Sequence, residues 1–241
     1  TRLRPITDSL PKALVPICGK PILEHVITKM KSYGISDVTV NVHHFAQMIK
    51  DHLVSNDNYG IDVKVSDESD ALLETGGGIL KAKDLILRNE DTSGKFLVHN
   101  VDIVSNLDFG WMESSAKKED ISTILVSDRV TQRYFLFDDD MRLVGWTNIA
   151  TGEVRTPYEN LDVTKCRKLA FAGIHVMDER IFEVFESLGF EGKFAIVDFY
   201  LKACKDYPIH GVIYPGLKLV DVGKIDTLEQ AEKIVEELTA E

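Results

Sequence analysis

The chain has 241 residues, enough for one large domain or two small ones with a sizeable core. Hydrophobic residues make up 44% and charged residues 28%, the balance of an ordinary globular protein. The formal net charge of -11 argues against a nucleic-acid or anionic-membrane surface, which needs an excess of Lys and Arg, but leaves room for a small anionic substrate held by local cations.

Taken in chain order, the first sixteen residues are neither helix nor strand. Pro5, Pro11 and Pro16 remove backbone donors and push the residues before them towards extended geometry, and Thr7, Asp8 and Ser9 favour local turns. Pro21 can open a helix whose apolar face is Ile22, Leu23, Val26, Ile27 and Met30, with Gly34 as its stop. Val38 to Val42 reads as a strand, Ala46 to Val54 as a helix, and the alternation of Ile61, Val63 and Val65 as a half-buried strand. Gly76 to Leu87 is expected as one amphipathic helix and Phe96 to Val98 as the start of a strand. In the second half, Ile121 to Ser127 and Leu169 to Val176 read as strands, and Tyr134 to Phe137 and Met141 to Trp146 as a hairpin around Asp138, Asp139 and Asp140. Asp178 to Leu188 reads as a helix, Ile209 to Tyr214 and Leu217 to Val222 as strands, and Thr227 to Leu238 as a final helix capped by Asp226. The βαβα order predicts an α/β protein with a mostly parallel mixed sheet and helices on both faces. No linker, low-complexity run or internal repeat interrupts residues 1–241, which read as a single domain.

Four patches can carry chemistry. The proline-stiffened opening holds two cations, Arg2 and Lys12, as a loop embracing a polyphosphate would need. Glu74-Thr75-Gly76-Gly77-Gly78 is either a helix entry whose glycines have a steric role, or a turn whose backbone approaches a flat ligand closely. Asp102, after His99-Asn100-Val101, would lie beyond the carboxyl end of a strand, where open α/β sheets bind ligands; the alternative is a loop aspartate capping the next turn. Asp221, flanked by Val220 and Val222 before Gly223, is costly to bury without a cation or donors; the alternative is a strand-end aspartate before a glycine turn. No nucleophile with an activating base is visible, and the scattered His43, His44 and His99 read as structural, which disfavours covalent catalysis. Cys18, Cys166 and Cys204 lack metal-type spacing and read as free thiols of a reducing cytoplasm. No apolar run is long enough to span a bilayer.

The opening Thr1-Arg2-x-x-Pro5-x-Thr7-x-x-x-Pro11-Lys12-x-x-x-Pro16 resembles the signature of the sugar-1-phosphate nucleotidyltransferases. The resemblance covers nearly the whole chain, without the hexapeptide β-helix many relatives carry at the C-terminus. The first strand and a Gly-x-Gly would precede Thr1. Leu73-Glu74-Thr75-Gly76-Gly77-Gly78 looks most like the N-acetylmuramate-1-phosphate uridylyltransferase branch, with mannose- and heptose-1-phosphate guanylyltransferases as alternatives.

The resemblance implies a Rossmann-like nucleotide-diphospho-sugar transferase fold and a reaction between a nucleoside triphosphate and a sugar 1-phosphate. It assigns nucleotide contacts to Thr1, Arg2, Lys12, Glu74, Thr75, Gly76 and Gly77, with Arg2 and Lys12 catalytic. Asp102 and Asp221 become Mg²⁺ ligands. Phe171-Ala172-Gly173-Ile174 resembles a sugar-facing segment, so Gly173 is expected at the sugar, with Asn148 in the acceptor region. Val101, Leu219 and Lys224 depart from the family's residues, which keeps open a non-catalytic regulatory or binding subunit on the same fold. A transferase using phosphocholine is the other alternative. The expected setting is cytoplasmic, as a monomer or small homo-oligomer, with no nucleic-acid or membrane partner.

Overall fold

A computed structural model of the chain describes residues 6–87, 94–223 and 227–240. A two-residue hairpin, β1 (Pro16–Ile17) and β2 (Lys20–Pro21), turns at Cys18 and Gly19, both at positive φ. Helix α1 (Ile22–Ser32) buries the five apolar residues expected of it. It ends where Ile35 N–H bonds Met30 O and Gly34 N–H bonds Lys31 O, with Gly34 at φ 80°. This is the left-handed glycine stop that its sequence announces. Next come β3 (Asp37–Val42), α2 (Ala46–Ser55) and β4 (Asp62–Asp67). The helix expected over Gly76–Leu87 is two pieces, α3 (Glu74–Lys81) and α4 (Lys83–Ile86), broken at Ala82. The chain continues through β5 (Lys95–His99), β6 (Ile103–Ser105), α5 (Phe109–Ser114), β7 (Ser122–Ser127), β8 (Arg133–Phe137), β9 (Leu143–Asn148) and β10 (Glu153–Arg155). It closes with β11 (Arg167–Asp178), α6 (Ile181–Ser187), α7 (Ile196–Ala203), β12 (Ile209–Val212), β13 (Leu219–Asp221) and α8 (Leu228–Ala240). Asp226, the expected cap of α8, lies outside the described residues.

The chain forms two compact units, one of residues 1–72, 100–110 and 217–241, the other of residues 73–99 and 111–216. In the first, β3 and β4 pair in parallel, as a connection through α2 allows, and β6 pairs with β13 antiparallel. Its core joins Ala13, Leu23, Ile27, Val42, Ala46, Ile49 and Leu53. The second holds a seven-stranded sheet in the order β10-β9-β8-β11-β7-β12, with β5 also on β11.

The α/β class and the mixed sheet match expectation. The expected parallel majority does not: among the described strands only β3–β4 and β7–β12 run parallel. Parallel neighbours need crossovers of a dozen residues or more, whereas β8, β9 and β10 follow one another through short turns and so alternate in direction. Strand β11 is antiparallel to β5, β7 and β8. Its register on β7 jumps between Phe171 and His175, a bulge with Gly173 at φ 76° inside it. Rings dominate this unit's core, with Phe135, Phe137, Phe185, Phe199 and Tyr200 at most 2% exposed.

Candidate functional site

Within the first unit the chain builds a small charged cluster from three separate segments. The first is the proline loop. Pro11 is extended, and Leu14 N–H bonds Pro11 O at 2.9 Å to close a 3₁₀ turn over Lys12–Leu14. Ala13, Val15 and Ile17 are buried, so the loop is pinned from beneath while the half-buried Lys12 side chain projects from it. His25 Nε2 bonds Ile17 O at 2.8 Å, which anchors the following hairpin to α1.

The second and third segments are the strands β6 and β13. Their register sets Asp221 opposite Ile103, and Val222 N–H donates to Asp102 O at 2.8 Å. Asp102 and Asp221, remote in sequence, are thereby brought to the same end of one strand pair. Lys29 steadies β6 from α1: its Nζ donates to Ser105 O at 2.7 Å and sits 4.9 Å from the centre of the Phe109 ring. Burial pulls the Lys29 ammonium down from its ordinary value to about 8, against the opposing pull of Asp108.

The Lys12 ammonium pairs with the Asp102 carboxylate and stands 3.8 Å from Asp221 Oδ1. The side chains are 29% (Lys12), 26% (Asp102) and 51% (Asp221) exposed, so a ligand can reach all three. Gly223 makes the room. A Cβ there would lie 2.8 Å from Asp221 Oδ1 and 3.6 Å from Lys12 Nζ. The Asp-Val-Gly order is legible in the sequence, but the reason for its glycine is not.

The donor set fits a hard cation. The two carboxylates already hold one positive charge, and no group of three His, Cys, Asp or Glu suited to a metal occurs among the described residues. Mg²⁺ commonly takes one or two carboxylates and completes its shell with phosphate oxygens and water. The Val101 departure has a structural account: its side chain packs against the core that includes Ala13 and Leu23. Thr1, Arg2 and Lys224 lie outside the described residues.

The remaining candidates belong to the second unit. The Gly76 and Gly77 amides both donate to Phe194 O, at 3.1 and 3.2 Å, and Phe194 N–H returns a bond to Leu73 O. A Cβ on Gly76 would meet the Phe194 ring at 2.3 Å, and one on Gly77 would meet Gly192 O at 2.1 Å. Packing therefore requires glycine at both positions, whether or not the turn also meets a ligand. Glu74, at φ 61°, and Thr75 are exposed; Lys193 Nζ lies 3.6 Å from Glu74 Oε1. Gly173 is buried in the β11 bulge. Asn148 ends β9, where its Oδ1 accepts from Ala150 N–H at 3.1 Å, the role of a turn former.

Sequence reasoning missed a buried network behind that bulge. His175, with no exposed surface, bonds Tyr200 OH through Nδ1, and Tyr200 OH lies 2.8 Å from Ser122 Oγ. Burial pulls the His175 ring from its ordinary 6.5 down to about 3, with His99 a smaller cause, so the imidazole is neutral near pH 7.

A family model described as nucleotidyl transferase matches residues 1–237. N-acetylmuramate alpha-1-phosphate uridylyltransferase of Caulobacter vibrioides is 26% identical over 223 residues, covering 90% of this chain and 85% of that protein. The mannose-1-phosphate guanylyltransferase catalytic subunit beta of Xenopus tropicalis is 34% identical over 110 residues, covering 45% of this chain and 29% of that one. Among solved structures, HddC from Yersinia pseudotuberculosis superposes with a TM-score of 0.73 at 22% identity, over 97% of this chain and 93% of that one, a likeness of fold.

Proposed function

This chain belongs to the nucleotidyl transferase family, and we propose that it joins a nucleoside triphosphate to a sugar 1-phosphate, releasing pyrophosphate and an NDP-sugar. UTP is the first candidate, because the relative aligned over most of the chain is a uridylyltransferase. GTP is the second, because a guanylyltransferase aligns over 110 residues. The observation that carries this reading is the convergence of Lys12, Asp102 and Asp221 on one partly open cluster.

In the proposed reaction an oxygen of the sugar 1-phosphate attacks the α-phosphorus in line. The new P–O bond forms as the α–β P–O bond breaks, and the electron pair leaves with pyrophosphate. Transfers of this kind ask mainly for positioning and charge stabilisation, which suits a site built of charges without a nucleophile. Lys12 neutralises charge developing around the α-phosphate. Arg2 holds the β- and γ-phosphates. Asp102 and Asp221 would hold Mg²⁺, which would supply positive charge to offset that of the two anionic substrates. Thr1, Glu74, Thr75, Gly76 and Gly77 are proposed at the nucleotide, and Gly173 and Asn148 at the sugar, by resemblance.

The test is a matrix of the common nucleoside triphosphates against N-acetylmuramate, mannose, glucose and heptose 1-phosphates with Mg²⁺, read as pyrophosphate release. Turnover with UTP or GTP and at least one sugar 1-phosphate is the expected result. No release in any pairing, or turnover with phosphocholine alone, overturns the proposal.

A further inference from the structure

The second unit's sheet ends in an edge that is open and, by its charges, complementary to itself. Strand β10 pairs with β9 on one side, and no other strand pairs with it among the described residues. Glu153 and Val154 are exposed and Arg155 is half-buried. At the sheet's other end β12 carries an isolated antiparallel bridge from His210 to Arg142, so that side is partly closed. An open edge presents a row of backbone donors and acceptors ready to pair, and folds usually guard it with charged side chains, Pro, a bulge or a very short strand. Here β10 is short and carries Glu153 and Arg155, but no Pro or bulge blocks its pairing, and its two charges are of opposite sign. Two aliphatic side chains are exposed on it or beside it in the chain: Val154 is 42% exposed, and Ile149, in the turn leading to β10, is 53%. Exposed apolar surface with a charged rim is the composition of a contact surface.

We propose that β10 pairs antiparallel with β10 of a second copy of this chain, about a two-fold axis passing through Val154. The charge order selects this occupant. In that register Glu153 lies opposite Arg155 of the other copy, and Arg155 opposite its Glu153, both pairs on one face of the joined sheet. Val154 meets Val154 on the other face. A two-fold contact must be self-complementary, and Glu-Val-Arg satisfies that condition with two opposite-charge cross-strand pairs. A slip by one residue would set charge against valine and turn the side chains to the wrong faces. Arg155 is already oriented: its guanidinium bonds Asp198 Oδ1 at 2.7 Å and lies 5.8 Å from the Trp146 ring centre. A parallel arrangement, or an unrelated peptide strand, would not use both charges twice. The contact is short, so the dimer is weak and reversible.

Sedimentation velocity over a dilution series tests it, using the intact chain, Glu153→Arg, Val154→Lys and Arg155→Glu, with thermal melting as the folding control. The expected result is a monomer–dimer equilibrium in the parent chain, and dissociation constants raised about tenfold or more in each variant. An equimolar mixture of the Glu153→Arg and Arg155→Glu chains restores dimers, because each Arg then meets a Glu in the mixed pair only. A parent chain that stays monomeric throughout overturns the proposal. A dimer whose dissociation constant is unmoved by Glu153→Arg and Val154→Lys overturns it too, because another surface is then responsible. If Arg155→Glu does not fold, these two variants decide the matter alone. A mixture of folded chains that stays monomeric overturns the register.

Discussion

Two polar groupings in this protein are treated in opposite ways. In the first unit, Lys12 stands between Asp102 and Asp221, and all three side chains stay within reach of solvent. In the second, His175, Tyr200 and Ser122 are sealed among aromatic rings, and the imidazole is driven to its neutral form. The difference separates a site from a scaffold. Charges left open can exchange partners with an anionic substrate or a cation, whereas a buried neutral network fixes the position of a strand and has nothing to exchange.

That contrast can be broken most forcefully at the first grouping. Asp102→Asn is expected to lower pyrophosphate release about 10²- to 10³-fold while leaving the melting temperature close to that of the parent chain, the size of effect seen when one preorganised electrostatic contact is removed. A variant as active as the parent removes Asp102 from the site. Next in size, Gly223→Ala pushes a methyl group towards Asp221 Oδ1, where the gap is 2.8 Å. About a tenfold loss of rate is expected, since small displacements of a charged group carry large kinetic costs. An unchanged rate would mean that the carboxylate's position is immaterial.

The second grouping should answer in stability instead. Tyr200→Phe removes the hydroxyl shared by His175 and Ser122 and is expected to cost about 1–3 kcal/mol in a denaturant titration. Activity per folded molecule should be retained. Lost turnover at full stability would move this network into the site. A further test of the same grouping is one of pH. The folded His175 resists protonation that the unfolded chain accepts, so stability falls as pH drops through the window from about 6.5 to about 3. His175→Gln should flatten that part of the acid limb, whatever it does to absolute stability. An unaltered slope would show that the ring is not neutral in the fold.

Much of this division was legible in residue order, and the exceptions have physical causes. Pro11-Lys12, Asp102 and Asp221-Val222-Gly223 were recognisable because each pairs an ionisable side chain with residues that fix the backbone, and the three meet as expected. The glycine run from Gly76 was ambiguous, because a glycine that admits a ligand and one that admits a neighbouring ring look alike in sequence. The steric demand comes from Phe194 and Gly192, remote in the chain and so invisible in the local order. Helix α7 went unforeseen although Ile196, Phe199, Tyr200 and Ala203 stand at the i, i+3, i+4 and i+7 positions of one buried face, a signal that was there to be read. The parallel majority expected of the sheet failed because strand direction follows connection length, and the short turns around β9 enforce reversal. His175 could not be read as buried and neutral from a lone histidine in an apolar run.

The most direct test of the account is the Mg²⁺ dependence of pyrophosphate release by the parent chain and by Asp221→Asn, with UTP and whichever sugar 1-phosphate turns over best. If Asp102 and Asp221 hold the cation beside Lys12, the parent rate saturates with Mg²⁺, and the variant needs about tenfold or more Mg²⁺ to reach half of a lower maximum. Superimposable Mg²⁺ curves for the two proteins would contradict it.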